Sequence, residues 1–354
     1  MNYKRTAAAV ALGTASMLFG AMQGFAQDLP ETKFHVIGSA SNSTTFKQIE
    51  QPFWTKVIPQ DSNGKVTAEI TAHTESGLKG PEIVRLLSSG ALDVAFGEFG
   101  AVAGDEPRFE GLVLSGVIAD FDTLHKAAEA YKPVLDGAFA AHGLKLMALL
   151  PFPEFAFFCR GEVKSLDDIA GKKVRVYTKS MSEAVSAVGG VPTNVPFGEV
   201  IPALQTGVVD CAITSTYAGN TAGWAEVTDS LFTLPMGSGI SFYAFNRATW
   251  DKLDPALQAF LDKEFAKFEA DVWAATAKQG QEGINCNTGQ GECTTGKPTD
   301  MVLHKPSDAD YQKVRKLAQE VVLPSWAQRC GAECVAEWNK TVGPIVGLTA
   351  GGKP

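Results

Sequence analysis

The chain of 354 residues carries 31 Lys and Arg against 39 Asp and Glu, a formal net charge of −8, and 45% of it is hydrophobic. That acidic balance argues against nucleic acid or an anionic membrane surface as the main partner, since neither attracts a negatively charged protein. One local arginine can still outvote a diffuse surface charge, and the length allows two domains with separate cores.

Residues 1–26 read as a signal peptide rather than as part of the fold. Lys4 and Arg5 give a positive start, residues 7–21 form an apolar stretch, and Gly24-Phe25-Ala26 offers a small-x-small cleavage site. Export to the periplasm follows. No later stretch is apolar enough for a span, so no direct membrane insertion is expected.

Beyond it, short β-rich runs alternate with helical stretches, the pattern of an α/β fold with largely parallel sheets. Residues 33–37 read as a strand, followed by a polar loop at 39–44 and a helix over 46–57. Residues 66–72 form a second strand, Glu75-Ser76-Gly77 a turn, 82–88 a helix and 93–96 a strand. Leu87-Ser-Ser-Gly-Ala-Leu-Asp-Val-Ala-Phe96 is then nearly repeated as Leu204-Gln-Thr-Gly-Val-Val-Asp-Cys-Ala-Ile213. Each copy reads as a helix stopped by a glycine in the left-handed position, then a strand opening at Asp. Two such units suggest two similarly built lobes.

Pro151-Phe152-Pro153 breaks the pattern and suits a crossing between lobes. Ser165 can cap a short helix with Asp168, Gly171 stops it, and Val174 and Val176 alternate with Lys173 and Arg175 as a strand. Composition shifts again at Gly237-Ser238-Gly239, before a strand over 240–245. Asp254-Pro255 starts a helix whose apolar positions Leu257, Leu261, Phe265, Phe268 and Val272 carry it to about residue 278. That is long enough to lie across both lobes. Residues 280–299 are polar and Gly-rich, 308–322 form an amphipathic helix, and the tail from Thr349 is expected to be disordered. The expected lobes are 27–152 with 241–279, and 153–240 with 280–354.

Six cysteines in an exported chain point to disulfides. Cys286–Cys293 and Cys330–Cys334 would each close a short Gly-containing loop, which leaves Cys159–Cys211. A zinc site from the last four is the alternative, though their spacings are unlike a zinc ribbon.

The run Ser165-Leu-Asp-Asp-Ile-Ala-Gly-Lys-Lys-Val-Arg175-Val176, with Val191-Pro-Thr-Asn-Val-Pro-Phe197-Gly-Glu199-Val200 and Pro202 to Asp210, resembles the substrate-binding subunits of tripartite ATP-independent periplasmic (TRAP) transporters. The resemblance implies a two-lobed periplasmic-binding-protein fold, with hinge strands and a long helix, that closes over an organic acid and docks on integral membrane TRAP subunits as a monomer. It implies that Arg175 binds the ligand carboxylate, and a guanidinium suits that task through two parallel hydrogen bonds. It also points to Glu98 as a polar contact, Phe197 as a wall, Thr214 where relatives have Asn, and Asn42 in the loop after the first strand. Tyr177, Phe152 and Trp224 are the expected aromatic neighbours. Many relatives carry a second Arg where this chain has Pro153-Glu154-Phe155. A monocarboxylate with an apolar or aromatic body is therefore favoured. No metal or cofactor is expected.

Two other functions compete. A binding protein for an ATP-driven importer or a sensor would share the fold. A secreted enzyme would need a catalytic motif, and the chain has no Gly-x-Ser-x-Gly, His-Glu-x-x-His or Gly-Lys-Ser/Thr. Its five histidines are scattered.

Overall fold

The computed structural model describes residues 29–104, 106–237 and 239–351, so the expected signal segment 1–26 lies outside the described residues. Eleven strands follow in chain order: β1 (Thr32–Gly38), β2 (Val66–Ala72), β3 (Val94–Glu98), β4 (Leu144–Pro151), β5 (Phe155–Cys159), β6 (Lys173–Val176), β7 (Val191–Asn194), β8 (Cys211–Ser215), β9 (Ser230–Phe232), β10 (Ile240–Asn246) and β11 (Val302–His304). They build two sheets, ordered β2-β1-β3-β10-β4 and β11-β9-β5-β8-β6-β7.

The two sheets share one plan. In each, three parallel strands (β2-β1-β3 and β7-β6-β8) meet an antiparallel strand that has crossed from the other sheet, β10 in the first and β5 in the second. The repeat explains the likeness, because its strand halves are β3 and β8, which take equivalent places. Gly90 (φ 76°) and Gly207 (φ 72°) both adopt the left-handed conformation expected of them. The sheets are mixed rather than largely parallel, since the crossing strand enters against the grain. The chain passes between the sheets from β4 to β5 at Phe152-Pro153, the break read as a crossing, and from β9 to β10 around Gly237 and Gly239, where the sequence showed only a shift in composition.

Beneath the first sheet, Phe53, Trp54, Tyr243, Phe265 and Phe268 pack as one aromatic cluster, with Phe53 and Phe268 stacked at 4.1 Å. Phe265 and Phe268 come from the long helix, Pro255–Thr288, which is 34 residues and about 51 Å at 1.5 Å per residue. It runs well past the expected end near residue 278. Gly280 and Gly283 do not stop it, because they serve close packing. Thr216 Oγ1 donates to the Gly280 carbonyl at 2.9 Å, and a Cβ on Gly283 would collide with the backbone at Thr216 and Tyr217. Gly283→Ala is therefore expected to destabilise by about 1–3 kcal/mol, read as a lower urea midpoint at unchanged slope.

All six cysteines are paired as Cys159–Cys211, Cys286–Cys293 and Cys330–Cys334, which leaves none for zinc. The last pair closes no free loop. It lies inside the helix Leu323–Val346, across a break at Gly331 (φ 78°, ψ 170°). Among the described residues the tail packs back onto the chain rather than hanging free. Ala350 is 2% exposed and exchanges two hydrogen bonds with the Asn339 side chain, at 2.8 and 2.9 Å. Those backbone bonds replace water, an option invisible in a Gly-rich run.

Glu50 is fully buried, and its Oε2 accepts the Ser39 N–H at 2.8 Å at the mouth of the 39–44 loop. Gly38 makes room, since a Cβ there would lie 2.5 Å from that oxygen. Burial pushes the Glu50 carboxyl up to about 8 from 4.5, with the Ser39 hydrogen bonds opposing and Glu98 adding to the rise. The folded state thus holds a proton that the unfolded chain releases between pH 4.5 and 8, so stability falls as pH rises through that window. Glu50→Gln keeps an acceptor for Ser39 and removes the titration. Its melting temperature should exceed the wild type's by more at pH 8 than at pH 4.5; a pH-independent difference would contradict this origin.

Candidate functional site

Arg175 stands on β6 between β7 and β8, in register with Thr193 and Ala212. Its side chain is 4% exposed, and two of its five N–H groups are committed to main-chain carbonyls. Nε donates to Val195 O and Nη1 to Ile213 O, both at 2.9 Å. The guanidinium carbon lies 5.3 Å from the Tyr177 ring centroid and 5.4 Å from that of Trp224, within cation–π range. Burial lowers its pKa to about 10, against the opposing influence of Tyr177 and Glu98, so it stays cationic near neutrality. Three N–H groups, including both on Nη2, make no hydrogen bond with the described residues. A fixed cation with spare donors in dry surroundings has the chemistry to pair with an anion.

The other expected residues divide into those gathered here and those placed elsewhere. Trp224 is buried, and its ring lies 5.2 Å from that of part-buried Phe197. Tyr177 meets Phe155 edge-on at 5.9 Å. Thr214 is buried next to Ile213, whose carbonyl holds Arg175. Glu98 ends β3 on the opposite sheet. Burial raises its carboxyl pKa, while the His73 and Arg175 charges pull it back. Two residues on, a Cβ at Gly100 would lie 2.6 Å from both Tyr177 and Thr178, so the two sheets bring their loops into direct contact here.

Asn42 is exposed in the 39–44 loop and has no described contact with this group. Phe152 instead lines a crevice at the crossing, together with Thr44, Ile49, Ser215, Tyr217 and Gln279; Arg175 does not line it. The sequence reading missed Ser215 and Tyr217. Ser215 caps the helix Thr216–Thr221 by accepting the Ala218 N–H at 3.2 Å. A Ser-Thr pair directly after the repeated strand was the available signal.

Glu154, in the segment where the resemblance leads one to expect a second Arg, faces another task. Its Oε1 accepts the Phe121 N–H at 3.0 Å, at the start of the helix Phe121–Ala141, where a carboxylate also suits the helix dipole. Its other oxygen lies beside Gly280 of the long helix. Glu154→Ala should cost about 1 kcal/mol, the usual price of a lost N-terminal acceptor, read by urea unfolding.

Comparison with known proteins bears on this geometry. The chain is 30% identical over 135 residues to the ectoine-binding periplasmic protein TeaA of Halomonas elongata, a match covering 35% of this chain and 40% of that protein. It is 26% identical over 312 residues to the C4-dicarboxylate-binding periplasmic protein DctP of Rhodobacter capsulatus, covering 78% and 80%. The fold superimposes with a TM-score of 0.79 and 19% identity on DctP7, a Bordetella pertussis extracytoplasmic solute receptor binding pyroglutamic acid, over 88% of this chain and 99% of that one. The model for the bacterial extracellular solute-binding proteins of family 7 (DctP) matches residues 36–329, and the chain belongs to that family.

Proposed function

We propose that this protein is the solute receptor of a TRAP transporter, that it captures a small organic carboxylate, and that it performs no chemistry on it. The observation that carries the reading is Arg175, a buried cation with donors to spare between two aromatic rings. Its Nη groups take the carboxylate, Phe197, Trp224 and Tyr177 enclose the body of the solute, and Glu98 and Thr214 meet its polar atoms. Asn42 and Phe152 complete the site from the 39–44 loop and the crossing. Because Glu154 caps a helix, a single cationic clamp favours a monocarboxylate with an apolar or planar body.

The same reading assigns residues 1–26 to export, the mature chain to the periplasm as a monomer, and the two lobes to 27–152 with 241–279 and 153–240 with 280–354. Closure is selected because the solute touches both lobes only in the closed form, which then docks on the membrane subunits. Among the described residues no helix is long and apolar enough to cross a membrane.

The test is calorimetry with pyroglutamate, ectoine and succinate, alongside native mass spectrometry of co-purified solute. One of these, or the solute weighed in the cleft, should bind and be recovered chemically unchanged. Arg175→Ala should abolish that binding while the far-UV spectrum is kept. The melting temperature should fall, because the Val195 and Ile213 carbonyls lose their donors, at about 1–3 kcal/mol for a buried unmet group. Retained affinity in Arg175→Ala would refute the assignment.

A further inference from the structure

The C-terminal helix Leu323–Val346 grips one short segment, the 3-10 turn Pro107–Leu112, from both of its halves. Trp326 Nε1 donates to Pro107 O and Trp338 Nε1 to Gly111 O, both at 2.9 Å. Between these two indoles, Arg329 Nη2 pairs with Glu110 Oε2 at 2.7 Å and Nη1 with Glu183 Oε1 at 2.8 Å. Arg108 answers from the turn, its Nε 2.9 Å from Glu337. Glu110 is buried, and its other oxygen accepts the Ser180 N–H at 3.1 Å, in the first turn of the helix Lys179–Ala187 that follows Arg175's strand. The chain after β3 of one sheet is thereby tied to the chain after β6 of the other.

A straight helix fits this grip poorly. Trp326 and Trp338 would be separated by about 18 Å of helical rise, whereas their two acceptors lie four residues apart on a turn rising about 8 Å. The break at Gly331 shortens the span, and the Cys330–Cys334 disulfide bridges that break. Apart from Gly331 the bridged residues, Ala332 and Glu333, favour helix. Without the cross-link, healing of the helix competes with the kink.

The three disulfides also differ in what holds them. Cys159 and Cys211 are fully buried and face each other across β5 and β8. Cys286 is fully buried and Cys293 part-buried, and the loop beyond Cys293 is held further by Glu282, which accepts the N–H groups of Thr294 and Thr295. Cys330 is part-buried and Cys334 buried, and the bridged residues Gly331, Ala332 and Glu333 are all exposed, with no comparable side-chain hydrogen bond among the described residues.

We propose that Cys330–Cys334 is a site of reversible thiol–disulfide exchange with a dithiol reductant, and that opening it loosens the Arg329–Glu110 tie between the two halves of the molecule. A thiolate of the dithiol attacks Cys330 Sγ, forming a mixed disulfide and expelling Cys334 as thiolate. The second thiol of the reductant then displaces Cys330. Two electrons pass to the cysteine pair, and the reductant leaves as its own disulfide. The inference stands independently of which solute the protein binds.

The experiment is graded dithiothreitol under native conditions, followed by alkylation and peptide mass spectrometry, with hydrogen exchange on the same samples. Cys330 and Cys334 should be alkylated at the lowest reductant, while the other two pairs stay closed. Amides at 111–113 and 180–182 should then exchange about tenfold faster or more, as expected for a local opening. The double variant Cys330→Ser with Cys334→Ser should show the same faster exchange without reductant; if it fails to fold, the reduction series on the wild type still decides. Earlier opening of Cys286–Cys293, resistance of all three pairs short of unfolding, or unchanged exchange after Cys330–Cys334 opens would each overturn the proposal.

Discussion

A buried guanidinium is costly unless its donors are met, and the way Arg175 is held sets the terms for the rest of the site. Its two anchors are main-chain carbonyls, Val195 just beyond β7 and Ile213 within β8, so the cation is fixed by the sheet rather than by another side chain. β8 is in turn locked to β5 by their ladder and by Cys159–Cys211, a directly opposed cross-strand pair. Preorganisation of this kind spares a receptor the entropic cost of ordering a long flexible side chain at the moment of binding. The opposite sheet contributes Glu98 and the close approach at Gly100, groups that depend on how the two halves sit together.

The features that were legible in the sequence have a local cause. The repeated Gly and Asp marked β3 and β8 because a left-handed stop after a helix leaves a residue signature, and from those two strands the shared plan of the sheets follows. Pro marked the crossing from β4 to β5, and Gly a change of composition at the return to β10. Arg175 was legible through a resemblance, and its neighbours Tyr177 and Trp224 came with it. Its real anchors were not, because a carbonyl carries no side-chain identity.

What the sequence concealed depends on tertiary contact. Gly280 and Gly283 looked like the end of a helix and are instead the places where it touches Thr216 and Tyr217. Spacing alone suggested the Cys330–Cys334 pair, yet nothing local says that the bridge spans a kink whose two arms embrace Pro107–Leu112. Glu50 passed unnoticed for the same reason, since a carboxylate on a helix reads as a solvent-facing residue until the packing around it is known.

The exchange of strands between the sheets has a consequence for biogenesis. Glu98 of β3 pairs with Ser241 of β10, and β4 with the same returning strand, so the first sheet lacks its fourth member until almost all of the second has been made. An emerging chain cannot finish its first half early and is left with an incomplete, slow-closing sheet of high contact order. Closure of the first sheet therefore waits on β10, a strand made only after β5 to β9.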